Sequence, residues 1–148
     1  MIYIGITAGI FLLELLLKNY IETHKDAHSE EMMCKNMLII RKYHNKGAFL
    51  DMGECVRPLV AMVSLLLTAA VTVVFVLTLG QKGRGVLKAG LALLLGGAFS
   101  NTYDRLRRKY VVDYFSFNVK WKKLRSVVFN LSDFCILIGA LMAALHDK

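Results

Sequence analysis

The chain has little of what most reactive sites are built from. Its three cysteines and four histidines, spread over 148 residues, fall at no metal-ligand spacing, so no metal site is indicated. An odd number of cysteines cannot all pair internally; Cys34 and Cys55 share one loop and could form a disulfide but are read as free thiols, and Cys135 lies in an apolar run as core. The single proline, Pro58, stands at the start of an apolar run, where a missing backbone donor does no harm. Acid is scarce too: 11 Asp and Glu against 19 Lys and Arg give a formal charge of +8. The basic residues flank apolar runs instead of forming a soluble patch, which argues against nucleic acid and for anionic lipid headgroups as the partner.

What the chain has in excess is apolar surface. A hydrophobic fraction of 56% and a mean hydropathy of +0.50 are too apolar for an ordinary soluble fold. Near-continuous apolar runs cover about 1–17, 59–79, 86–103 and 127–145, each close to the ~20 residues that span a hydrocarbon core. The expectation is an all-α integral membrane protein of one domain over 1–148, with four transmembrane helices at about 1–18, 59–79, 86–104 and 127–145. The segments at about 19–58 and 105–126 lie outside the membrane and carry a small β element. No Lys or Arg precedes the first run and no small-residue cleavage site follows it before Lys18, so it reads as a retained helix and not a cleaved signal.

In the first helix Glu14 and Lys18 are four apart and share a face. They read as a local ion pair at the membrane boundary, with Lys18 snorkelling to the headgroups. Residues 19–36 are polar and read as a solvated loop; 37–43 suit a short strand, and Asn45, before Gly47, reads as an ordinary turn residue. The second helix carries no charge and reads as scaffold, joined by a Gly-rich basic link to the third as an antiparallel hairpin. Gly90, Gly96, Gly97, Ala98 and Ser100 in the third helix let neighbours approach closely. Its polar end, Asn101, Asp104 and Arg105, reads either as a headgroup anchor or as a shell bracing nearby acids.

Residues 111–121 alternate with period two, which predicts a strand with Asp113, Phe115, Phe117, Val119 and Trp121 on one face. Trp121 and the lysines around it read as an interfacial anchor. In the last apolar run Asn130 and Asp133 are three apart, with Asp133 about six residues, or ~9 Å, inside it. An ionisable group within a membrane segment is a functional hypothesis by default, and Asp113 and Asp133 are each other's candidate partner. Four crossings put Glu14, Asn45, Asn101, Asp104, Arg105, Asp113, Asn130 and Asp133 at one membrane face. Two carboxylates sharing one water cannot both ionise readily, so one serves as acid and the other as base, the machinery of aspartic peptidases. Proton-coupled transport, a ligand channel and buried structural pairing remain alternatives on the residues alone.

The chain resembles the lipoprotein signal peptidase (signal peptidase II) family at four places: Glu14 to Lys18, Asn45 with the Lys-Gly-Ala-Phe after it, Gly96 to Arg105 with its Asn-x-x-Asp-Arg, and the pair Val-Val-Asp113 and Phe-Asn-Leu-Ser-Asp133. The resemblance covers nearly the whole chain, and its last two blocks are the specific ones. It implies an intramembrane aspartic endopeptidase, with no cofactor, that removes signal peptides from diacylglyceryl-modified bacterial prolipoproteins. Asp113 and Asp133 would be the catalytic dyad; Asn45, Asn101, Asp104, Arg105 and Asn130 would shape the site, with Glu14 and Lys18 supporting it. The apolar helices would hold the signal helix and acyl chains. The implied setting is a monomer in the bacterial cell membrane, multi-pass, its site and both long loops facing outward. Lys and Arg are denser from Arg105 to Arg125 than at Lys82, Arg84 and Lys88, so the positive-inside rule alone points the other way; the resemblance is preferred. Two departures, Glu14 where the family usually has Asp and one alanine fewer after Asn45, bear on substrate preference before catalysis. A catalytically silent relative that binds lipidated or signal-helix ligands is the alternative.

Overall fold

The computed structural model describes residues 1–26, 29–47 and 53–145, with side chains from Val56 onward in the last stretch. Among the described residues five helices and a three-stranded sheet follow in the order α1 Ile2–His24, β1 Glu31–Met33, β2 Leu38–Asn45, α2 Gly53–Leu79, α3 Gly85–Arg107, β3 Val111–Phe117, α4 Lys122–Ser126 and α5 Leu131–Leu145. The protein is mostly helical, with one small antiparallel sheet ordered β1-β2-β3.

Helix α3 is the axis of the bundle, with α1, α2 and α5 packed around it. Its lack of side chains where it meets α5 explains the intimacy of that pair. A β-carbon on Gly97 would lie 2.5 Å from the carbonyl oxygen of Ser132, and one on Gly90 2.8 Å from that of Gly139. Small residues permit backbone-to-backbone contact where any larger side chain would wedge the helices apart.

Burial is inverted relative to a soluble fold. Glu14, Lys18 and Asp104 are each at most 1% exposed, whereas Leu12, Leu16, Leu66, Leu67, Leu77 and Leu137 each exceed half. Helices α1 and α2 are long and apolar enough to cross a membrane, and only 17% and 11% of their most apolar windows are buried. A core helix of a soluble protein would be mostly buried. Apolar helices that turn their leucines outward fit a lipid solvent.

Several expectations need correction. The loop expected over 19–36 is instead the last turns of α1, which runs to His24, followed by the edge strand β1. Its polar residues hold that extension in place: Tyr110 Oη donates to Glu22 Oε1 at 2.6 Å and His44 Nε2 lies 2.9 Å from the same oxygen. The β1–β2 hairpin turns through Cys34, Lys35 and Asn36, all at positive φ. Cys34 is exposed and free, and the Cys55 side chain lies outside the described residues. The strand expected over 111–121 ends at Phe117, leaving Trp121 exposed at the start of the short α4.

The helix expected from about 59 begins at Gly53, so that Pro58 lies inside α2 and not at its start, and the helix expected from about 127 begins at Leu131. Residues before it are extended, with Phe129 bridging β3 through Phe115. Four aromatic rings, Phe115, Phe117, Phe129 and Phe134, pack together there and draw this segment onto the strand. Asp133 therefore lies in the first turn of α5 and not six residues inside a helix.

Candidate active site

Asn130 N-caps α5. Its Oδ1 accepts from the Asp133 amide at 3.0 Å while its own amide donates to Asp133 Oδ2 at 3.0 Å, a reciprocal capping box that fixes the Asp133 rotamer. The Asn130 side chain is fully buried and reaches the other way, Nδ2 donating to Asp113 Oδ1 at 2.6 Å. One residue thus binds both carboxylates.

Strand β3 delivers Asp113 to this point, paired in register with Tyr43 of β2. Two residues on, Asn45 is both the turn residue its sequence suggested and more. Its Oδ1 accepts from the Gly47 amide at 3.4 Å while its Nδ2 donates to Asp113 Oδ2 at 3.1 Å. The Ala48 and Phe49 that complete the motif lie outside the described residues. Asp133 Oδ1 accepts from Asn101 Nδ2 at 3.1 Å. Every hydrogen bond to the two carboxylates among the described residues comes from an amide.

Burial, and then the charge of Asp133, push the Asp113 carboxyl up to about 7, against the opposing pull of the bonds from Asn45 and Asn130. Asp113 is therefore placed to keep its proton to a higher pH than an exposed carboxylate would.

Behind the pair lies a second polar cluster. Lys18 Nζ donates to Ser100 Oγ and Asn101 Oδ1, both at 2.8 Å, and lies 3.1 Å from Asp104 Oδ2 and 3.4 Å from Glu14 Oε2. The snorkelling expected of Lys18 is therefore incorrect: two buried carboxylates hold its ammonium inside. Glu14 also accepts from Tyr114 Oη at 2.6 Å and Ser132 Oγ at 2.8 Å; Asp104 accepts from the Val112 amide at 3.2 Å and pairs with Arg108 at 3.1 Å. Burial and the Glu14 charge hold the Tyr114 phenol well above its usual range, so it stays a donor.

Arg105 stands apart. It makes no side-chain hydrogen bond among the described residues, but its charge acts on Asp113, Asp133 and Asp104. Tyr114, Ser132 and Arg108 escaped the sequence reading. Arg108 had a signal in its i,i+4 spacing from Asp104; Tyr114 and Ser132 had none, since their roles depend on which helix faces the strand.

Two carboxylates tied to one asparagine thus lie at the polar end of a bundle whose outer face is apolar, the arrangement of a membrane protein. The family model described as signal peptidase (SPase) II matches residues 6–147, and the chain belongs to that family. The lipoprotein signal peptidase of Pseudomonas aeruginosa strain UCBPP-PA14 is 32% identical over 148 residues, covering 97% of this chain and 85% of the relative. That of Lactobacillus johnsonii is 28% identical over 146 residues, covering 98% and 90%. Two bacterial membrane enzymes solved by the in meso method share the fold, each with a TM-score of 0.77. At 1.9 Å resolution the identity is 21%, covering 99% of this chain and 94% of the other; at 2.3 Å it is 20%, covering 95% and 83%.

Proposed function

We propose that the chain is an intramembrane aspartic endopeptidase that removes the signal peptide from diacylglyceryl-modified bacterial prolipoproteins, with Asp113 and Asp133 as the catalytic dyad. The observation that carries this reading is Asn130, whose amides bind one oxygen of each carboxylate. With one proton on the pair, the ionised carboxylate takes a proton from water as the water oxygen attacks the scissile carbonyl carbon. The protonated carboxyl gives its proton to the carbonyl oxygen. Collapse of the tetrahedral intermediate then returns a proton to the departing amine nitrogen. Asn45, Asn101 and Asn130 orient the carboxylates; Arg105 offers positive charge at the edge of the site; Glu14, Lys18 and Asp104 brace it from behind.

Helices α1, α2, α3 and α5 would cross the cell membrane, with the sheet on the outer side and the protein acting as a monomer among lipids. At ~1.5 Å per residue α5 is about 22 Å long, shorter than a ~30 Å hydrocarbon core. Its N-terminus, and Asp133 with it, would thus sit below the headgroups and under the sheet. A reporter fused after Lys148 should be active only in the cytoplasm; activity only outside would reverse this orientation.

The direct test incubates the purified protein, in detergent or lipid, with diacylglyceryl-modified prolipoprotein. Release of the signal peptide by the parent, and by neither Asp113→Asn nor Asp133→Asn, is the expected result. A folded parent that cleaves none of several precursors would overturn the peptidase in favour of a silent binding relative.

A further inference from the structure

A cleft of about 380 Å³ opens at Asn45, and Lys46, Arg57, Arg105 and Lys109 contribute to its lining. Among the described residues no carboxylate lines it. Asn45, which bonds Asp113, forms one wall, and Tyr110, tied to Glu22, forms another. On the other side of Arg105 lies a groove of about 290 Å³ between α2, α3 and α5, walled by Leu67, Val71, Leu94 and Ile136 and reaching Asn101. Arg105 lines both. The two spaces differ in chemistry, the groove walled by apolar side chains and the cleft lined by cations, as an apolar signal segment differs from the chain that follows it. Among the described residues the charged lining of the cleft is of one sign, set beside apolar walls such as Val60 and Leu106, and such a lining concentrates its field on whatever enters.

We infer that the basic cleft receives the substrate chain just after the scissile bond and selects precursors with Asp or Glu within about the first four residues of the mature segment. The inference rests on the peptidase reading, because the apolar groove is assigned to the signal helix and the dyad to the bond between. Lys46 and Lys109 are exposed at the rim and Arg105 is half-buried at the junction, so the rim lysines carry selectivity while Arg105 spans both sides of the cleavage point.

The test uses lipidated precursors that differ only at the second to fourth mature residues, acidic, amide or basic, in phosphatidylcholine. The parent should cleave the acidic series with a kcat/KM about tenfold above the amide series, the size of one charge-assisted hydrogen bond, and the basic series should rank last. In the double variant Lys46→Glu with Lys109→Glu the order should reverse, with Lys46→Gln alone reducing the preference; thermal unfolding checks that each variant is folded. An order that is the same in parent and double variant overturns the cleft's role while leaving the peptidase intact. Fluorescence anisotropy of the same lipopeptides on Asp133→Asn protein reads the cleft without chemistry. An acidic preference there supports the assignment even if no precursor is cleaved, and its absence overturns it. Replacing phosphatidylcholine with phosphatidylglycerol should leave the preference in place; if it vanishes in the parent, the cleft is an anionic-lipid site and the peptide assignment falls.

Discussion

Two buried polar clusters sit back to back in this protein, and they are balanced in opposite ways. Around Lys18, two carboxylates, Glu14 and Asp104, face two cations, Lys18 and Arg108, and the remaining oxygens are filled by Tyr114, Ser132 and a backbone amide. Around Asn130, two carboxylates are held by amide groups alone. The first cluster has satisfied its charge and can only brace. The second is hydrogen-bonded to no cation among the described residues, and burial, with the charge of Asp133, keeps a proton in play on Asp113. Asn101 joins them, accepting from Lys18 with its oxygen and donating to Asp133 with its nitrogen, so the ammonium decides which way that amide points.

The sharpest way to break the contrast is to neutralise one member of the uncompensated pair. Asp113→Asn or Asp133→Asn should lower cleavage at least about 10³-fold while the protein stays folded. Stability should respond in a characteristic way. The unfolded chain releases the Asp113 proton near 3.8 and the folded one near 7, so the parent loses stability as pH rises through that window, and Asp113→Asn should lose less. Unfolding temperatures at pH 5 and 8 would read the difference.

Next in size is the compensated cluster. Lys18→Met leaves Glu14 and Asp104 buried without their shared cation and should cost ~3–5 kcal/mol, seen as a fall in unfolding temperature that Lys18→Arg only partly relieves. Tyr114→Phe should cost less, ~1–3 kcal/mol, because Glu14 Oε1 and the Leu131 amide each lose the phenol oxygen. The smallest effect sharpens the comparison without breaking it. Asn45→Ala removes a bond that favours ionised Asp113, so the alkaline limb of the pH–activity profile should move up by a fraction of a unit; a downward move would contradict the assignment.

Much of this arrangement was legible from residue order. The counting of crossings brings the polar residues to one end, and Asn130 and Asp133 are visibly three apart. Their meaning was harder to read. Taken as an interior spacing, it puts Asp133 inside a membrane helix; taken as a capping box, it starts the helix at Leu131, and only the pairing of Phe129 with Phe115 decides between them. Lys18 misled for a related reason. Spacing pairs it with Glu14, but whether a lysine leaves for the headgroups depends on what the neighbouring helix offers, and here α3 offers Ser100, Asn101 and Asp104. Residues 19–36 are polar as a loop would be, yet Glu22 is polar in order to be bound.

The contact of Gly97 with the Ser132 carbonyl is made by main chain against main chain. Such a joint has no rotamers to populate as temperature rises, so the span from Asn101 on α3 to Asp133 on α5 behaves like a gauge block, set by the contact of backbone with backbone. On warming, the joint between α3 and α5 is expected to hold its spacing longer than the aromatic packing around Phe115 and Phe129.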